Sequence, residues 1–169
     1  MKLFYFALLA VLTLCSCGNN EKFVGIWESE EITGDGVTAK VVYTFMKDGT
    51  MTMNIDAATT VEEEGVEVNV ECSVSGNGKW HTAIDMLTVE LDENSMEVDI
   101  TDMSSSDELT DALFSEVLDD PEMRNELIDQ MKEEIDISDF SGSYDVESIT
   151  ANRMKIKNKI GETITYRRK

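Results

Sequence analysis

The chain has 169 residues, 14 Lys and Arg against 35 Asp and Glu, a formal net charge of −21 and 41% hydrophobic residues. That balance describes a folded globule and excludes a disordered acidic tail. It also argues against binding nucleic acid, whose phosphates would be repelled across most of the surface.

Met1-Lys2 opens with a positive charge, and Leu3 to Leu14 follows as an apolar run broken only by Thr13. At 1.5 Å per residue the run reaches about 18 Å, short of the roughly 30 Å hydrocarbon layer, so it reads as a signal-peptide core and not a membrane span. The next residues, Leu14-Cys15-Ser16-Cys17, resemble the lipobox of bacterial lipoproteins. Cys17 is the better fit for the modified residue, because Leu14 then stands three before it and small Ser16 stands at the cut. The resemblance implies removal of residues 1–16, a diacylglycerol thioether on Cys17 and an acylated new amine. Several acyl chains together anchor stably, so the expected place is the cell envelope, lipid-anchored, with the outer membrane the expected site. Residues 17–22 form a short lipidated tether, and with the Cys17 sulfur acylated Cys72 is the one free thiol left in the mature chain, so no internal disulfide is expected.

From Val37 the hydrophobic pattern has period two. Val37, Ala39, Val41, Tyr43 and Phe45 share one face; after an Asp48-Gly49 turn, Met51, Met53 and Ile55 do the same. Beyond Glu62-Glu63-Glu64-Gly65, the residues Val66, Val68, Val70, Cys72 and Val74 alternate with Glu67, Asn69, Glu71 and Ser73. Gly76-Asn77-Gly78 reads as a turn into a strand over Lys79 to Ile84, followed by Leu87, Val89, Leu91 and then Met96, Val98, Ile100. Short consecutive strands with wet outer faces are antiparallel, and closing them into a barrel removes their exposed edges.

The period changes at Ser104-Ser105-Ser106. Ser105 and Glu108 have capping-box spacing, and Leu109, Ala112, Leu113 and Val117 recur at helical spacing. Pro121 stands at the first position of a second helix with the stripe Met123, Leu127, Ile128, Met131 and Ile135. Asp107 to Asp139 holds 13 acids against two bases, so a helical hairpin over about 106–136 has a strongly anionic outer face. Strands return with Tyr144, Val146, Met154, Ile156, Ile164 and Tyr166; Arg153 to Lys169 carries seven bases and one acid and is expected to pair with acidic neighbours. The expected fold is mainly β: an antiparallel barrel of about eight to ten strands over 23–169, with a helical hairpin inserted before the C-terminal strands. A barrel of this size holds side chains or one small ligand.

Gly25-Ile26-Trp27 matches the Gly-x-Trp signature of lipocalins, and Tyr43-Thr44-Phe45, Asp48-Gly49-Thr50-Met51-Thr52, Gly78-Lys79-Trp80 and Leu87-Thr88-Val89 are similar to small lipocalin-like lipoproteins of Bacteroidota. The resemblance implies a lipocalin-like barrel in which a basic residue of the last strands packs over the signature Trp. Gly25, Trp27 and Arg153 are the expected trio.

Few residues offer chemistry. His81 is the only histidine and falls on the outer face beside Trp80; Cys72 falls on the inner face as a small hydrophobe. Asp99 with Asp102, and Glu62 to Glu64, lack the spacing of a calcium loop, and neither a phosphate-cradling loop nor a Gly-x-Ser-x-Gly elbow occurs. No enzymatic activity, metal or cofactor is expected. Met51, Met53, Met96 and Met154, with Val68 and Val70, take inward positions where they can line an apolar pocket or simply fill the core. Two functions follow: a small hydrophobic ligand held in the barrel, or a filled barrel that docks a protein partner through its acidic helical insertion.

Overall fold

The structure, a computed structural model, describes residues 21–34, 36–63, 65–135 and 140–169. The expected signal peptide, the lipobox and Cys17 lie outside the described residues. Ten strands occur in it: β1 Gly25–Ser29, β2 Ile32–Gly34, β3 Val37–Phe45, β4 Thr50–Glu63, β5 Val66–Ala83, β6 Met86–Leu91, β7 Glu97–Ser105, β8 Gly142–Ile149, β9 Arg153–Lys157 and β10 Thr163–Arg168. Helices α1 Glu108–Asp119 and α2 Pro121–Glu134 lie between β7 and β8. Strand β1 pairs with both β10 and β3, which closes eight strands into an antiparallel barrel; β2 and β7 add to the sheet beside β3 and β5. The period-two pattern has the expected consequence. Val41, Tyr43, Phe45, Met51, Met53, Ile55, Val74, Leu87, Val89, Val98 and Ile100 are all buried, and their polar alternates face out.

Gly76-Asn77-Gly78 is not a turn. Strand β5 runs straight through it for 18 residues. One side of β5 pairs with β4, while the other pairs first with β7 over Val68–Ser75 and then with β6 over Gly78–Ala83. Strands β6 and β7 are therefore one interrupted strand, broken by a 3₁₀ turn at Glu93–Ser95. The glycines are needed for close approach: a Cβ on Gly78 would collide with the Glu90 carbonyl oxygen, and one on Gly76 would lie 3.3 Å from the Met96 sulfur. Further along β7, Cys72 opposes Ile100 and Glu71 opposes Asp102, leaving Thr101 as the extra residue of a bulge. The bulge resets the alternation, so that Met103 packs inward opposite Val70.

The turns and caps follow local chemistry. Asp48 Oδ1 accepts hydrogen bonds from the Thr50 backbone N–H (3.0 Å) and hydroxyl (2.6 Å), and Gly49 supplies φ 85°. The first helix is capped by Asp107, not by Ser105. Ser105 is still paired to Val68 as the last residue of β7, while Asp107 Oδ2 accepts from the Thr110 N–H at 2.9 Å. Asp120 caps the second helix through the N–H groups of Glu122 and Met123, with Pro121 at its start as expected. The predicted apolar stripes are split: Ile128 is buried and Leu118, Leu127 and Met131 pack against the core, but Leu109, Leu113 and Met123 face solvent. Arg124 fastens the insertion to β7, reaching Asp99 at 2.7 Å and the Ile100 carbonyl at 3.0 Å.

The β5–β6 hairpin closes on two residues, Ile84 and Asp85, between paired Ala83 and Met86. Ile84 sits at φ 56° and is 99% exposed. A β-branched side chain in the left-handed region costs about 1–2 kcal/mol. Ile84→Gly is accordingly expected to raise the free energy of unfolding by about 1 kcal/mol in a urea titration, since Gly is the residue this turn position favours.

Because successive strands run in opposite directions, the loops 46–49, 84–85 and 150–152 lie at the end where β1 begins and β10 finishes, the near end. The β3 and β5 entries, the helical insertion and loop 158–162 lie at the far end.

Candidate functional site

The near half of the barrel is packed solid. Trp27, Trp80, Phe45, Met51, Met53, Met154 and Tyr166 are all fully buried. Phe45 lies 5.0 Å from the Trp80 ring and Phe23 lies 6.2 Å from it. Both indoles find acceptors: Trp27 Nε1 donates to the Phe23 carbonyl at 2.6 Å, and Trp80 Nε1 to the Met46 carbonyl at 2.9 Å. These two Trp residues are framework.

The basic partner of Trp27 is Arg168, not Arg153. Its guanidinium carbon lies 4.3 Å from the Trp27 ring centre. Alternation explains the exchange. Met154 points inward, so Arg153 points outward, where it pairs with Glu30 at 3.7 Å; Tyr166 points inward, so Arg168 follows on the same face, directly opposite Trp27. Arg168 also donates from Nη1 to the Val24 carbonyl, from Nη2 to the Lys22 carbonyl and from Nε to the Ala151 carbonyl, each at 2.6 Å. Gly25, at φ 133°, completes the unit: a Cβ there would lie 2.6 Å from Arg168 Nη1. The spacing Ile164-x-Tyr166-x-Arg168 was the sequence signal for this residue.

The candidate ligand-lining residues divide. Met51, Met53 and Met154 are at most 1% exposed, which leaves them no free surface to offer a ligand. They fill the core. Met96 is half-buried just after the 3₁₀ turn, packed over Gly76. Val68 and Val70 are half-buried on the far half of β5.

That far half differs from the near one. Ala39, Ala57 and Cys72 are cross-strand neighbours on three successive strands, and all are partly exposed although they occupy inward positions. Met103 on β7 likewise packs against the core yet keeps exposed surface; on the shorter strands Tyr144, Val146 and Ile164 do so too, as does Ile149 beside the near-end loop 150–152. Sequence reasoning placed several of these residues inward, but the gradient of filling along the barrel had no signal in any single strand.

Besides the buried hydroxyls of Ser29 and Thr82, the interior carries tyrosine phenols. Tyr43 lies 5.8 Å from Tyr166, ring to ring, and is hydrogen-bonded to Tyr144. Burial holds the phenols of Tyr43 and Tyr166 well above their ordinary value near 10, the neighbouring tyrosines adding to the effect. The unfolded chain ionises these groups near pH 10, so the stabilisation is complete below that pH and declines as pH rises beyond it. Phenolate absorbance from the pair is expected to emerge only together with alkaline unfolding, and Tyr166→Phe to move that unfolding to higher pH. Burial also pushes the Cys72 thiol up, away from the reactive thiolate. His81 is exposed on the outer face of β5.

No protein-family model and no curated protein matches this chain.

Proposed function

We propose that this chain is a lipid-anchored, lipocalin-like lipoprotein of a Gram-negative envelope, of the kind found in Bacteroidota, that holds a small hydrophobic molecule in the far half of its barrel. The anchor rests on the lipobox-like Leu14-Cys15-Ser16-Cys17 and the resemblance on the Gly-x-Trp start. One observation supports the ligand above others: the large inward side chains Trp27, Phe45, Met51, Met53, Trp80, Met154 and Tyr166 fill the near half, whereas the inward residues around Ala39, Ala57 and Val70 in the far half are small and keep accessible surface. Exposed apolar lining inside a concave wall is the surface a hydrophobic ligand removes from water.

Native mass spectrometry of the protein purified from its own cells tests this reading. The expected result is a bound species of lipid-like or other apolar character, recovered by organic extraction and lost in Ala57→Phe, which fills the row of small residues while the chain stays folded by circular dichroism. A protein isolated empty, or a bound species retained by the filled variant, would overturn it.

A second reading has its own observation. Leu109, Leu113 and Met123 on the helical hairpin are 73%, 53% and 45% exposed amid acidic residues. Exposed apolar side chains with a charged rim suit a protein partner. Pull-down from envelope extract with the wild type and with Leu109→Ser/Leu113→Ser separates this reading from the first, because those changes leave the barrel interior untouched.

A further inference from the structure

We infer that the near end of the barrel faces the membrane, with Ile84 as an apolar finger that enters the lipid interface. This rests on the lipid anchor proposed above and adds to it an orientation and a docking surface. Three independent features of the near end converge.

The first is where the chain leaves the barrel. Arg168 holds the Lys22 and Val24 carbonyls against the near end, so the described chain enters the barrel at that end. From Cys17 to Glu21 is four residues, which extended span at most about 14 Å. A tether that short keeps the near end within reach of lipid headgroups and the far end a barrel's length away.

The second is apolar exposure. Ile84 is 99% exposed at the tip of the β5–β6 hairpin, in a left-handed conformation that serves no packing. Met86 and Ile26 are 42% exposed and Met46 is 38% exposed at the same end. A strained, fully exposed Ile at a hairpin tip runs against folding stability, and such residues persist where a function retains them.

The third is charge. Lys22, Lys47, Arg153, Arg167, Arg168 and Lys169 gather at the near end beside Glu21, Glu28, Glu30, Asp48 and Asp85, so bases and acids nearly balance there. From Asp107 to Ile135 the helical insertion at the far end has 11 acids against two bases. An anionic lipid surface therefore repels the far end and accepts the near end.

The test uses the full chain, expressed with its own leader, purified in detergent and reconstituted into vesicles of phosphatidylcholine and phosphatidylglycerol that carry nitroxide-labelled headgroups. Ile84→Trp reports the near end and Ile160→Trp, at an 80% exposed position in the β9–β10 loop, reports the far end. Wild-type emission from buried Trp27 and Trp80 is subtracted. Emission from Ile84→Trp is expected to shift to the blue and lose about half its intensity, with Ile160→Trp unquenched. The mass of the N-terminal peptide reads the anchor separately. Lipid on Cys17 with equal quenching at both positions, with none at either, or with quenching at Ile160→Trp alone overturns the orientation and leaves the anchor standing. An unmodified Cys17 with the protein left in the aqueous phase overturns both.

Discussion

Arg168→Ala is expected to lower the stability of the barrel by about 3 kcal/mol, seen as a fall of roughly 10 °C in thermal unfolding followed by tryptophan fluorescence. The side chain stacks on Trp27 and donates to three carbonyls from two separate segments of the chain: Lys22 and Val24 before the first strand, and Ala151 in the β8–β9 turn. Its loss leaves the Trp27 face uncovered and cuts the tie between the first strand and the β8–β9 turn. Arg168→Lys is expected to recover only part of the loss, because one ammonium on a flexible stem cannot stack flat and serve three divergent acceptors together. Arg153→Ala is the control. Its pair with Glu30 is 3.7 Å long with both partners about half exposed, so the change is expected to stay within about 1 kcal/mol. A loss at Arg153 equal to that at Arg168 would refute the clasp.

Gly78→Ala is expected to cost about 3 kcal/mol, because the added methyl meets backbone and not a side chain that can turn away. The Cβ would overlap the Glu90 carbonyl oxygen and stand 3.0 Å from the Leu91 Cα, inside the ladder that joins β5 to β6. Relief requires the two strands to part, so urea unfolding is expected to show a lower midpoint, and hydrogen exchange to show lost protection at Lys79 to Thr82. Gly76→Ala is a milder contrast. There the nearest atom is the Met96 sulfur at 3.3 Å, at the end of a side chain that can shift, and the cost is expected near 1 kcal/mol. If Gly78 did make a turn, Ala would instead be tolerated with little change in strand pairing.

Strand identity was legible wherever alternation was strict. The run from Val66 to Val74 and the face Met51, Met53, Ile55 point as expected, because a two-residue period places side chains without reference to anything distant. Asp48-Gly49 and Pro121 were equally readable, since each acts through its own backbone. Three readings failed for a shared reason. Gly76-Gly78 resembles a turn locally, Ser105 resembles a cap, and Arg153 resembles the partner of Trp27, but in each case a strand paired from elsewhere decides otherwise. Strand β6 crowds Gly78, Val68 keeps Ser105 in the ladder, and the inward turn of Met154 sends Arg153 out.

The candidate site shows the same division. That Met51, Met53 and Met154 would face inward was visible in sequence; that they would be packed shut, with the accessible lining displaced toward Ala39, Ala57 and Val70, depended on eight strands meeting at once. By itself the sequence determined the β class, the inward faces, the helical insertion and its acidity, because these follow from periodicity, capping chemistry and charge, all local to the chain. Tertiary structure alone decided which guanidinium covers Trp27, where glycine is obligatory, how far the barrel is filled and at which end the described chain enters it. Those depend on register and closure, and register is a relation between strands that no single stretch of residues contains.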